Sequence, residues 1–195
     1  MKKEIERKYE VNSLPKDLKI EKAMDIEQVF IYKDENTHIR IRKVQETYPN
    51  KNTTYIYTIK TKGDIKYNNK YDIGKKYEIE SEIEKDEYEK LKQRKISNKI
   101  NKKRIVIPIE ENLKVEIDVY KDYLEGLLTA EVEFSNEENA KDFQKPDWFG
   151  KEIGYKELSN RKLAEMTKEE WQQKVTKEFI ENNKKIINKL KEYNI

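Results

Sequence analysis

The chain has 195 residues, with 42 Lys and Arg against 39 Asp and Glu, 35% hydrophobic residues and a net charge of +3. That length suits one folded domain with a small appendage, and the near balance of charge argues against a protein that coats nucleic acid through a simple basic excess. The absence of cysteine and the single His38 exclude disulfides, thiolate nucleophiles or ligands, and any site that needs two histidines.

Alternating hydrophobicity predicts eight strands, at residues 2–11, 26–32, 37–44, 53–62, 75–84, 102–109, 112–121 and 127–134. Charged residues make up 42% of the chain, a level that can signal disorder, but the chain also has 13 Tyr, 5 Phe and 2 Trp, and several of them, Tyr9, Phe30, Tyr55, Tyr57, Tyr77, Tyr120 and Phe134 among them, fall in these alternating segments and point to a folded core. Asn68-Asn69 and Asp72-Ile73-Gly74 mark a polar loop before the fifth strand, and residues 86–95 follow it as a helix. After the eighth strand, Ser135 and Glu138 have the spacing of a capping box, opening a short helix to about Phe143. Lys145-Pro146-Asp147-Trp148-Phe149-Gly150 reads as an ordered turn anchored by aromatics. Residues 167–193 read as one amphipathic helix with Trp171, Val175, Phe179, Ile186, Ile187 and Leu190 on its apolar stripe. That stripe needs a surface, either the domain itself or a second copy of the chain in a homodimer. The division expected is a domain over 1–165 and a C-terminal helix over 166–195. No apolar run reaches the roughly 18 residues of a membrane span and the N-terminus has no apolar core, so a cytoplasmic protein without membrane contact is expected.

Successive strand residues face opposite ways, which sorts each strand into two sets. Glu4, Glu6 and Lys8 oppose Ile5 and Tyr9; Arg40 and Arg42 oppose Ile39 and Ile41; Thr58, Lys60 and Lys62 oppose Tyr57 and Ile59. Glu78 and Glu80 oppose Tyr77 and Ile79, and Lys102 and Arg104 oppose Ile105 and Ile107. Glu116 and Asp118 oppose Val115 and Ile117, and Glu131 and Glu133 oppose Ala130 and Val132. An ordinary solvated face would mix signs and include neutral polar residues, whereas these positions are sorted by sign, strand by strand. Eight strands can close into a barrel just wide enough for side chains or a small ligand. With the charged faces inward and helices over the apolar faces, ionised groups so crowded need hydration or matching ligands. A polyphosphate suits the basic wall, and hard Mg²⁺ or Mn²⁺ suits the acidic one.

The N-terminal Glu4-Ile5-Glu6-Arg7-Lys8 strand resembles the ExExK signature of the CYTH domain, the triphosphate tunnel metalloenzymes. The resemblance continues in order through Arg40-Ile41-Arg42, Thr58-Ile59-Lys60, Tyr77 to Glu80, Glu116-Ile117-Asp118, Glu131-Val132-Glu133 and Trp148-Phe149-Gly150, over roughly residues 1–165. It implies an α+β fold: an eight-stranded antiparallel barrel, or tunnel, with a charged interior and helices packed outside. It also implies a Mg²⁺- or Mn²⁺-dependent hydrolase of a small triphosphate, inorganic tripolyphosphate first, with thiamine triphosphatase, class IV adenylyl cyclase and a non-catalytic triphosphate-binding module as alternatives. No nucleic-acid partner is expected. By motif, Glu4, Glu6, Glu116, Asp118, Glu131 and Glu133 correspond to metal ligands. Lys8, Arg40, Arg42, Lys60, Lys62 and Arg104 correspond to phosphate-binding residues, and Glu78 and Glu80 to groups that hold metal or water or orient the cations. Lys8 would also stabilise charge near the scissile bond. Where some bacterial tripolyphosphatases carry a tyrosine that assists this lysine, the present sequence has Phe30. Tyr32, two residues on, is the catalytic candidate in its place if the register permits. The C-terminal signature keeps Asn160 and Leu163 but departs at Gly154 and Leu158.

Overall fold

The computed structural model describes residues 2–62, 74–110, 113–154 and 157–193. Its strands are β1 (Lys2–Val11), β2 (Lys22–Lys33), β3 (Thr37–Tyr48), β4 (Thr53–Lys62), β5 (Gly74–Glu82), β6 (Ile100–Glu110), β7 (Leu113–Tyr120), β8 (Leu128–Glu133) and β9 (Phe149–Ile153). The helices are α1 (Lys85–Lys92), α2 (Glu137–Asp142), α3 (Asn160–Glu165), α4 (Lys168–Gln172) and α5 (Lys177–Lys191). The polar loop expected around Asn68, Asn69 and Asp72 lies outside the described residues.

All pairings are antiparallel, in the order β5-β4-β3-β2-β6-β7-β8-β1-β9. The expected closed barrel of eight strands is therefore corrected to a nine-stranded antiparallel sheet, rolled on itself but not closed along its length. The roll meets only where Lys2–Glu6 of β1 pairs with Gly74–Glu78 of β5; beyond that, β9 takes the same edge of β1. The aromatic turn was expected to end at Gly150, yet Phe149 and Ile153 enter this added strand opposite Val11 and Lys8. Glycine is required at 150, because a Cβ there would stand 2.6 Å from Asn12 Oδ1 and 2.8 Å from Glu10 Cβ.

The apolar strand faces point outward and are covered in sections. Ile5, Tyr9, Ile105, Ile117 and Val132 pack with Phe149 and with Ile186 and Leu190 of α5. Val29 and Ile41 pack with Tyr88 of α1. A third cluster joins Phe30, Ile100 and Tyr120 to Leu158, Leu163 and Trp171. The last of these seals one end of the roll with α3, a helix absent from the sequence reading. The C-terminal helix is also corrected: it breaks after Gln172, and Thr176 caps a second helix by accepting a hydrogen bond from Phe179 N. The α2 cap shifts by one residue, with the Asn136 side chain accepting from Asn139 N and Ser135 Oγ accepting from the Asn139 amide. Among the described residues no helix is long and apolar enough to cross a membrane.

Helix α1 is tied to β2 by Glu27, which accepts hydrogen bonds from Tyr88 Oη and from Lys92 and Lys99 Nζ. Burial opposes the charge, but these donors outweigh it and hold the Glu27 carboxyl down at about 2. A carboxylate whose pKa is depressed by folding stabilises above its unfolded value, near 4.5, and loses that contribution as the pH falls toward 2. The stability advantage of the native chain over Glu27→Gln, followed by urea unfolding, should accordingly be present at pH 6 and fade through this acid window.

Candidate active site

The charged strand faces meet around a cavity of about 220 Å³ inside the roll. Glu4, Glu6 and Lys8 of β1, Arg40 and Arg42 of β3, Lys60 of β4, Glu78 and Glu80 of β5, Lys102 and Arg104 of β6, Glu116 of β7 and Glu131 and Glu133 of β8 line it. Gln28, Ser159, Asn160 and Arg161 complete the lining. The period of two explains why a single surface collects residues from eight strands, β2 contributing Gln28: once the apolar set faces outward, every second residue must face inward.

Inside, the two signs are interleaved. Lys8 Nζ lies 2.7 Å from Glu131 and donates to the Leu158 carbonyl at 2.9 Å. Lys60 Nζ contacts Glu4 at 2.6 Å and Glu78 at 3.2 Å, and Arg40 pairs with Glu78 at 3.1 Å. Arg42 pairs with Glu80, which also accepts from Thr58 Oγ1 at 2.9 Å. Arg104 clasps Asp118 through Nε and Nη2, each at 2.7 Å, reaches Glu131 at 2.9 Å and pairs with Glu116. Lys102 pairs with the same Asp118, whose side chain is 0% exposed and lies behind the cavity wall.

Burial is the largest single influence on each charge in this cluster, and the neighbouring charges decide whether it prevails. It works against the Lys8 ammonium, but Glu131, Tyr120 and Glu6 outweigh it and hold the pKa above the usual lysine value. For Lys102, burial and the neighbouring Arg104 prevail over Asp118 and Glu131 and bring the pKa down to about 8. Burial raises Glu116 despite Arg104, with Asp118 and Glu131 adding to the rise. In Glu131 burial is overcome by Lys8, Arg104 and Lys102, so its carboxyl stays well below the usual range.

Most of the residues singled out from the sequence line the cavity. Asp118 stands behind it, and Lys62 is exposed at the end of β4 and not part of the lining. Tyr32 is also absent from the lining: it is 46% exposed and donates to Asp34 at 2.8 Å. The reason is a bulge. Phe30 pairs with Arg40, but the register slips before Tyr32, which pairs with Ile39, a residue of the outer set. The phenol that interacts electrostatically with Lys8 is instead Tyr120, whose ring also lies 5.5 Å from Lys102 Nζ. Gln28 could have been found by counting back two from Phe30; nothing local announces Arg161, which the α3 segment carries to the cavity.

The acidic residues offer only hard oxygen donors, a set suited to Mg²⁺ or Mn²⁺. Among the described residues no three acidic side chains already converge as a cage. Glu4, Glu78, Glu80, Glu116, Asp118 and Glu131 would each exchange a Lys or Arg partner for a metal ion, and the freed cation would then need an anion.

No family model matches the chain. It is 28% identical over 163 residues to the inorganic triphosphatase of Nitrosomonas europaea, covering 83% of this chain and 96% of that relative. A solved structure of the inorganic triphosphatase NE1496 superposes with a TM-score of 0.55 at 28% identity, covering 84% of this chain and 95% of the other. The fold alone is shared with PH1819 from Pyrococcus horikoshii OT3, at a TM-score of 0.53 and 18% identity over 71% of this chain and 82% of that one. The inward-facing ExExK strand and the charged walls it meets thus stand in a chain whose sequence and fold are similar to those of an inorganic triphosphatase, in line with its resemblance to the CYTH, or triphosphate tunnel, family.

Proposed function

We propose that the protein hydrolyses a triphosphate, with inorganic tripolyphosphate as its substrate, in a reaction that depends on Mg²⁺ or Mn²⁺. The observation that carries this reading is a set of unanswered donors in the cavity wall: Gln28 Nε2, Arg40 Nε and Arg42 Nε are buried and have no hydrogen-bond partner. Buried polar groups rarely stay unsatisfied, because each costs about 1–3 kcal/mol. Phosphate oxygens are acceptors of the required kind. Size favours an inorganic chain, since about 220 Å³ is smaller than the roughly 300–1,000 Å³ typical of sites that enclose organic ligands. The inorganic triphosphatase relative points the same way.

Arg40, Arg42, Lys60 and Arg104 would hold the phosphates, with Lys62 reached only from outside the lining. Glu4, Glu6, Glu116, Glu131 and Glu133 would hold the metal, and Asp118, behind the wall, would join them only on releasing Lys102 and Arg104. When bound, the ion supplies positive charge to phosphate oxygens and to the attacking water. In the hydrolysis, the water oxygen forms a bond to phosphorus and a bridging P–O bond breaks. Phosphate and pyrophosphate result, and the Lys8 ammonium meets charge on the leaving oxygen.

The interleaved charges make metal and phosphate interdependent. An anion alone would strand carboxylates and a metal alone would strand cations, while both together restore balance. Calorimetry should therefore show tripolyphosphate binding tightened about tenfold or more by Mg²⁺, with the reciprocal effect on Mg²⁺ binding. Independent binding of the two would count against the shared site. The activity test is phosphate release from tripolyphosphate, thiamine triphosphate and ATP, with either metal and with a chelator. Chelator-sensitive release, greatest from tripolyphosphate, is expected. Cyclic AMP with pyrophosphate from ATP would replace the proposal with a cyclase, and tight binding without any product would replace it with a binding module.

A further inference from the structure

Seven cations line the cavity, and six of them are held by carboxylates: Lys8, Arg40, Arg42, Lys60, Lys102 and Arg104. Arg161 is the seventh. Among the described residues it is the one cavity cation with neither an ion pair nor a hydrogen bond from its guanidinium, although it is only partly exposed.

Its position is set by the seal at the end of the roll. Leu158 and Leu163 pack against Phe30, Ile100 and Tyr120, the Leu158 carbonyl accepts from Lys8, and Tyr120 Oη donates to Asn160 Oδ1 at 2.8 Å. These contacts anchor the segment on both sides of Arg161, and none of them uses its side chain. Gln28 enters the same cavity from β2, two residues before Phe30 of the seal. It is 1% exposed, its Oε1 accepts from Arg40 at 3.3 Å, and its Nε2 has no partner.

We propose that Arg161, with the Gln28 amide, forms a subsite for an unsubstituted terminal phosphate, so that a linear polyphosphate is taken end-on against the α3 seal. This rests on the triphosphate reading above and adds a requirement on the chain end. A terminal phosphate has a second ionisation near pH 6 and presents several non-bridging oxygens to the planar guanidinium fork. An internal or esterified phosphate lacks that second charge, and the apolar cluster of Phe30, Leu158 and Leu163 beside Arg161 offers a continuing, charged chain no polar partner.

The test compares linear tripolyphosphate with cyclic trimetaphosphate, which has no terminal phosphate. Calorimetry in Mg²⁺ should show wild type preferring the linear form. Arg161→Gln should weaken linear binding about tenfold or more and leave cyclic binding nearly unchanged, and Arg161→Lys should fall between. The melting temperature of Arg161→Gln should match wild type, because among the described residues the side chain has no partner to lose. Unchanged linear binding in Arg161→Gln would overturn the subsite while the triphosphate reading stands. Equal weakening of both ligands would reduce Arg161 to general electrostatics and overturn the terminal requirement. Wild type that binds neither ligand overturns the subsite and the triphosphate reading together.

Discussion

Lys8→Met is expected to lower tripolyphosphate turnover by about 10²- to 10³-fold, the usual cost of removing one preorganised group that meets developing charge. Lys8 is well placed to act in this way. Its ammonium is buried, lies 2.7 Å from Glu131 and is fixed by the Leu158 carbonyl, and its raised pKa keeps it charged through the neutral range. If it acts mainly on the transition state, kcat and kcat/KM should fall together; a rise in KM alone would make it a binding residue. Lys8→Arg tests geometry apart from charge, since a planar guanidinium cannot occupy the place of a compact ammonium held by two acceptors. A folded Lys8→Met variant, checked by its melting temperature, with kcat within a few-fold of wild type would remove Lys8 from the reaction.

The second large effect is on stability. Asp118→Ala should cost about 3–5 kcal/mol in denaturant unfolding, because it leaves Lys102 and one arm of Arg104 buried without their shared carboxylate. The pairing of Asp118→Leu with Lys102→Met should recover most of this loss. It removes one charge of each sign and leaves Arg104 on Glu116 and Glu131. Buried ion pairs often contribute little net stability compared with apolar replacements, so such recovery would mean that the fold does not need this pair. Recovered stability together with weakened tripolyphosphate binding would assign the charges to ligand binding. A double variant as unstable as Asp118→Ala would instead make the pair structural.

Much of this was legible in the chain because strand geometry is local. Alternation with a period of two located β1 to β8 within a few residues, and it placed Glu4, Glu6 and Lys8 on one face without knowledge of any neighbouring strand. The sorting of acidic and basic positions by strand anticipated a shared, highly charged interior, which the cavity lining contains.

Other features depended on contacts that no local pattern carries. The bulge that turns Tyr32 outward comes from pairing with β3, and a single inserted residue reverses every side chain beyond it. The ninth strand exists because β1 has an edge left over beyond its short seam with β5, so a stretch that reads as a turn is drawn into the sheet. The break between α4 and α5 follows their different surfaces: Trp171 belongs to the sealing cluster, while Ile186 and Leu190 belong to the core outside the roll. By itself the sequence determined which residues share a face, since that follows from backbone periodicity. Only the tertiary structure decided which faces meet, how the sheet ends and that Arg161 arrives at the cavity, since these depend on packing between segments far apart in the chain.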